Sequence, residues 1–234
     1  MASSQPAAPV VLHPRAILFD MDGVLVSSIG AVERSWEKWS ARHGIDPARA
    51  IEAAHGRRAI ETIRLLRPDL NDQQELAWLE QMEIDDKIGL EVLRGVCPIL
   101  ETLPRKFWTV VTSATERLAR TRMAHAGVPV PERIVSADMV THGKPHPEPY
   151  RKGAELLGVR PEDCLVIEDS ASGATAGHAA GCKVIATLFS HSLESLIDAD
   201  WVVRSLEDVQ VRIDGDRLDV RFTPVSREAI AANI

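Results

Sequence analysis

Two aspartates, Asp20 and Asp22, stand one residue apart at the end of the apolar run "AILF". A carboxylate so placed can attack an electrophile such as phosphorus and carry the transferred group covalently. A second one, two residues on, can protonate a leaving alcohol and later activate water. Three more stretches carry reactive side chains: "TSAT" (112–115), "HGKPHPEPY" (142–150) with Lys144, and "EDSASG" (168–173) with Glu168 and Asp169. Oxygen ligands from Asp20, Asp22 and Asp169 suit Mg²⁺, which takes a few carboxylates and keeps its other positions for water or phosphate oxygens. A hydroxyl and a lysine would then hold the phosphate oxygens that the metal does not cover. Crowded carboxylates repel, so a cation also accounts for the grouping. Taken singly, the aspartate pair is a solvated turn, "EDSASG" a helix N-cap and Lys144 a surface lysine. The coincidence of all four, each just beyond a strand candidate, argues for one site.

Side chains so far apart in sequence meet only where parallel strands end together. Strand candidates are 16–19, 107–111, 133–135, 164–168, 183–187 and 200–203, with helical patterns at 115–126, 147–157 and 171–180. Runs such as "CLVIE" are apolar on both faces, as a covered parallel sheet requires. The alternation predicts an α/β fold, a doubly wound parallel sheet. Residues 28–92 break the rhythm with helical patterns only, and read as an all-helical domain inserted after the first strand, between core segments 15–27 and 93–234. Within it Asp72 is a candidate cap, and Trp36, Trp39 and Trp78 are candidates for its own core. Residues 1–14 read as a flexible leader, and 209–222 alternates around "DGD" as a hairpin does.

Composition narrows the function classes. A net charge of −7 opposes nucleic-acid backbone binding, although a small phosphorylated ligand needs only a local cation. The cysteines Cys97, Cys164 and Cys182 match neither a zinc pattern nor a disulfide framework, which suits a cytoplasmic protein with reduced thiols. No apolar run approaches the length of a membrane span.

The stretches "FDMDGVLV", "VTSAT", "GKPHPEPY" and "VIEDSASGATAGHAAGCKVIA" resemble, in order, the four motifs of the haloacid dehalogenase superfamily. The resemblance implies that Asp20 is the nucleophile and Asp22 the general acid/base. It implies that Ser113 is the second-motif hydroxyl, with Thr112 as the other register, and that Lys144 binds phosphate. Asp169 would ligate the metal with Glu168 beside it, Gly23 would turn the backbone amides toward phosphate, and the helical insert would be the cap that closes over the site.

Asp22 points to phosphoryl transfer, because the family's dehalogenases and phosphonate hydrolases lack an aspartate there. The β-phosphoglucomutase branch carries a histidine where this chain has Val32, which tilts the reading to a phosphatase, with the mutase as alternative. The cap resembles the branch acting on polyol and small-sugar phosphates, in which a His-Gly-x-Arg stretch faces the site. Here that is His55, Gly56 and Arg58, with Arg57 between; these could grip substrate or simply start a helix. Most relatives have Asp where this chain has Ser27, and His142 is a neighbour without an assigned role. The expected partner is a small phosphorylated sugar or polyol, the expected cofactor Mg²⁺, and the chain a monomer or homodimer.

Overall fold

The computed structural model describes residues 8–226. Its centre is a five-stranded, all-parallel sheet in the spatial order Trp108–Val110, Ala16–Phe19, Cys164–Glu168, Lys183–Thr187 and Trp201–Val203. These strands are β2 (Ala16–Phe19), β5 (Trp108–Val110), β6 (Cys164–Glu168), β7 (Lys183–Thr187) and β8 (Trp201–Val203). Every residue of β2 and β6 is buried, which explains their unbroken apolar sequences. β5 and β6 flank β2 on opposite sides, with Phe19 level with Val110 and Ile167. The carboxyl ends of all three therefore open onto one crevice, where the chain departs in different directions.

Helices α5 (Val96–Thr102), α6 (Glu116–His125), α7 (Glu148–Leu156) and α8 (Ala171–Ala180) belong to the same α/β layer structure. Four more, α1 (Ile29–His43), α2 (Pro47–Ala54), α3 (Ala59–Leu66) and α4 (Asp72–Asp85), lie in the chain between two short strands. Those strands, β3 (Val26–Ser27) and β4 (Glu91–Val92), pair antiparallel and form the stem of the insert. Trp36, Trp39, Ile63 and Leu79 are buried in a separate apolar cluster of these helices, against which Trp78 packs partly buried.

Three local expectations are corrected, and one helix of the insert went unread. Asn71, not Asp72, caps α4, accepting from the Gln74 amide at 3.1 Å, while Asp72 begins the helix and accepts from Arg64 at 2.5 Å. α2 was hidden by its shortness, although Pro47 at its first position and Asp46 as its cap are standard start signals. Residues 133–135 form no strand; Val135 makes a single bridge to Val111 before the chain tightens into a 3₁₀ turn at Ala137–Met139. Within the expected leader, β1 (Val10–Leu12) joins the hairpin of β9 (Val209–Asp214) and β10 (Arg217–Phe222), pairing Val10 with Phe222 and Leu12 with Val220. Val10 and Leu12 pack on the main core there, so apolar burial fixes a segment whose polar flanks suggest freedom. Residues 1–7 of that leader lie outside the described residues. No helix among the described residues is long and apolar enough to cross a membrane.

Candidate active site

The crevice holds a tight ionic cluster. Lys144, 3% exposed, donates all three of its ammonium hydrogens: to Asp20 Oδ1 at 2.6 Å, Glu168 Oε1 at 2.6 Å and the Val111 carbonyl at 3.1 Å. Burial alone would lower its pKa, but the facing carboxylates Asp20 and Glu168 raise it, so it stays an ammonium. Glu168 is saturated. Its Oε1 also accepts from Tyr150 Oη at 2.8 Å, and Oε2 accepts from the Asp169 and Ser170 amides and Ser170 Oγ at 2.9–3.0 Å. Burial opposes its charge, yet Lys144 and these hydrogen bonds bring its pKa below the ordinary value. Burial pushes Asp20 up to about 7 despite Lys144, and with Glu168 and Asp20 nearby it pushes Asp169 well above the usual range.

Asp22 lies apart from that cluster. Its Oδ1 accepts from Ser28 Oγ at 2.5 Å and from Arg122 Nη1 at 2.9 Å. Asp22, expected among the metal ligands, is thus not grouped with Asp20, Glu168 and Asp169 in this geometry. The chain does not stay extended past Asp20; it coils at once, with the Leu25 and Val26 amides donating back to the Met21 carbonyl. Gly23 sits in this coil at φ +82°, and a Cβ there would stand 1.8 Å from Asp169 Oδ2. Its own amide donates to the Val26 carbonyl at 2.8 Å, so it does not face a ligand. Gly23→Ala combines a strained φ with that collision, and is expected to cost about 1–3 kcal/mol in urea unfolding and to weaken divalent-cation binding in calorimetry. Thr112 Oγ1 is buried and accepts from the Ala114 amide, whereas Ser113 Oγ reaches across to the Gly56 carbonyl at 3.2 Å.

The insert is seated on the crevice and encloses a cavity of about 390 Å³. Asp20, Asp22, Ser113, Lys144 and Asp169 line it from the core, and Val32, Trp36, His55, Arg57 and Leu76 from the insert. Gly56, at φ +68°, takes hydrogen bonds on its carbonyl from Ser113 and Ser172, and a Cβ there would lie 2.3 Å from Ser172 Oγ. Arg58, expected as a substrate ligand, is spent elsewhere. Nε donates to Glu61, Nη1 to the Ala137 and Val140 carbonyls, and Nη2 to Glu61 and the Thr141 carbonyl. All five donors are engaged, so Arg58 latches the insert to the core and has none left for a ligand.

Residues 14–181 match the family model of haloacid dehalogenase-like hydrolases. The chain belongs to this family. Hexitol phosphatase A of Escherichia coli (strain K12) is 39% identical over 202 residues, which cover 84% of this chain and 94% of that one. Glycerol-1-phosphate phosphohydrolase 2 of Saccharomyces cerevisiae is 34% identical over 218 residues, 87% of each. In fold, β-phosphoglucomutase from Clostridium difficile superposes with a TM-score of 0.71 at 20% identity, covering 84% of this chain and 93% of that one.

In this haloacid dehalogenase-like hydrolase a divalent cation fits the cluster. Asp20, Glu168 and Asp169 each offer an oxygen within 4.8 Å of the others, and all three are buried. Fully ionised, the three carboxylates exceed the one ammonium by two negative charges, which a divalent ion would balance. The donors are oxygen only, which suits a hard cation. Glu168 belongs to that group, as expected, and is also its most heavily committed member, accepting from five donors and holding Lys144. Asp20 and Asp169 have the more open carboxylate oxygens.

Several residues that shape the site carried weak sequence signals. Tyr150 lies within the quoted lysine stretch. Arg122 interrupts the buried face of α6 between Leu118, Ala119 and Met123, which is the one sequence trace of its role. Glu148 holds the loop that carries Lys144, accepting from the Thr141 and His142 amides at 2.8 and 2.9 Å and meeting Lys152 at 3.0 Å. Although burial opposes its charge, those amides and Lys152 bring its pKa from 4.5 down to about 2. A depressed carboxyl stabilises the fold above its unfolded pKa and loses that contribution as pH falls through the folded one. Glu148→Gln is thus expected to cost on the order of 2 kcal/mol at pH 7. The gap from wild type should narrow steadily below about pH 4.5 in urea titrations.

Proposed function

We propose that this hydrolase is a Mg²⁺-dependent phosphatase acting on a small sugar or polyol phosphomonoester, with the phosphoryl group carried on Asp20. The observation that bears most weight is the placement of Asp20. It stands just past the end of β2, with Lys144 on one carboxylate oxygen, Ser113 and Asp169 lining the same cavity, and Asp22 two residues away on a different partner set. The relatives named as hexitol and glycerol-1-phosphate phosphatases support the substrate class.

In the first step Asp20 attacks phosphorus, the bond from phosphorus to the leaving oxygen breaks, and Asp22 gives its proton to that oxygen. In the second, Asp22 takes a proton from water as the water oxygen attacks phosphorus, which releases phosphate and restores Asp20. Lys144 offsets charge on the phosphoryl oxygens. Among the described residues the amides of Met21 and Asp22 meet no acceptor, which leaves them available to those oxygens. When bound at Asp20 and Asp169, Mg²⁺ supplies further positive charge there. The helical insert acts as a cap, and its apolar wall of Val32, Trp36 and Leu76 excludes bulk water. Val32 offers no proton-transferring group at that wall, which favours hydrolysis over phosphate migration.

A panel of hexitol, glycerol and deoxyhexose phosphates, assayed for Mg²⁺-dependent phosphate release, tests the reading. Release well above an Asp20→Asn control supports it. Migration of phosphate between substrate hydroxyls without release contradicts it.

A further inference from the structure

The side chain that grips Asp22 is itself gripped by the cap. Arg122 on α6 is 2% exposed; its Nη1 donates to Asp22 Oδ1 at 2.9 Å and its Nη2 to Glu83 Oε2 at 2.7 Å. Glu83 comes from α4 of the cap and is 6% exposed. One guanidinium plane thus joins the loop after β2, a core helix and a cap helix.

Three observations separate this link from an ordinary seam contact. Arg122 and Ser28 both hold Oδ1 of Asp22, and no donor among the described residues reaches Oδ2, so one oxygen is fixed and the other is left for chemistry. Arg122 Nε is buried without an acceptor among the described residues. A buried orphan donor is unfavourable, so the guanidinium is not seated where its own hydrogen bonding is best. Arg58, at the same cap–core boundary, has all five donors satisfied, and Arg117, which bonds Glu80 of the cap, is 58% exposed at the rim. Arg122 alone of these three touches a carboxylate of the reaction.

The geometry points to a positioning relay: Glu83 of the seated cap orients Arg122, and Arg122 holds Asp22 toward the leaving oxygen, so that Asp22 is set for proton transfer when the cap is down. This rests on the phosphatase reading above. When the cap lifts, Glu83 leaves with α4, and Arg122 keeps Asp22 as its one strong partner. A guanidinium can hold two carboxylates in fixed directions, which a lysine's point charge cannot. Glu83 and Arg122 act through Asp22 and touch no reacting atom.

The readout is dependence on the leaving group. An alkyl phosphate needs its leaving oxygen protonated as the bond to phosphorus breaks, whereas p-nitrophenyl phosphate releases a stable phenolate that needs no proton. Both substrates need Asp22 as base in the second step, so the first step is read from the first turnover alone. Glu83→Ala is expected to slow it about tenfold or more on glycerol phosphate and hexitol phosphate, but to slow the first-turnover release of p-nitrophenolate by less than about twofold. Glu83→Gln, which keeps an acceptor for Nη2, should recover most of that loss. Arg122→Lys should show the same substrate dependence as Glu83→Ala. Equal slowing of the first turnover on alkyl and aryl phosphates in the Glu83 and Arg122 variants, or no slowing on either, would overturn the relay. A wild type that releases phosphate from neither kind of substrate overturns the phosphatase reading itself, and the relay with it.

Discussion

Asp20→Asn is expected to lower phosphate release by at least about 10⁴-fold on every substrate, alkyl or aryl, because an amide cannot replace the attacking carboxylate. The same change should leave the metal-free fold no less stable than wild type. Asp20 is buried beside Glu168 and Asp169, and burial pushes its carboxyl up to about 7, so its charged form is unfavourable at neutral pH. An acid with a raised folded pKa weakens the fold increasingly as pH climbs from its unfolded value, 3.8, through about 7. The isosteric amide removes that penalty and still accepts a hydrogen bond from Lys144. A stability gain at pH 7 that fades toward pH 4, measured by urea unfolding without metal, would accompany the loss of activity. Function and stability are thus opposed at this residue.

Lys144→Met is expected to harm both. Three buried carboxylates would then lack their cation, with Glu168 enclosed by its own amide donors and unable to move toward solvent. Breaking one side of a buried ionic cluster costs about 3–5 kcal/mol. The deficit should shrink as pH falls and the carboxylates take up protons, and shrink also on adding Mg²⁺, since either change lowers the uncompensated charge. Activity should fall about 10³-fold even at saturating Mg²⁺, because the ammonium on Asp20 is gone during phosphoryl transfer. Urea unfolding with and without Mg²⁺, alongside phosphate release, checks both halves.

The parts legible in the sequence share a cause. Asp20, Glu168 and Asp169 stand at the ends of fully buried parallel strands, where an unbroken apolar run followed by a charge is visible by eye, and strand adjacency does the rest. The hairpin at 209–222 was equally plain from its alternation. What could not be read depends on partners distant in sequence. Val10–Leu12 is a strand only because residues 220–222 lie beside it. Arg58 looked free to grip a substrate because nothing local shows that the carbonyls of 137, 140 and 141 would take its hydrogens. Asp22 and Asp169 seemed equivalent oxygen donors until the coil after Met21 turned Asp22 toward Arg122, a hundred positions along the chain. Nothing in the local sequence marks Glu83 as the partner of Arg122. Motif positions fix the reaction's groups, whereas cap–core contacts, which control how those groups are aimed, emerge only from the packed structure.

The central claim is that Asp20 carries the phosphoryl group and Asp22 serves both steps. It is tested most directly by mass spectrometry of the acid-quenched enzyme during turnover. With p-nitrophenyl phosphate and Mg²⁺, an Asp22→Asn variant needs no acid for the first step but lacks the base for the second. It should therefore accumulate one phosphoryl group on the peptide containing Asp20, to a far greater extent than wild type. An Asp22→Asn enzyme that turns over freely with no phosphoryl group on that peptide, or that carries it on another residue, would contradict the account.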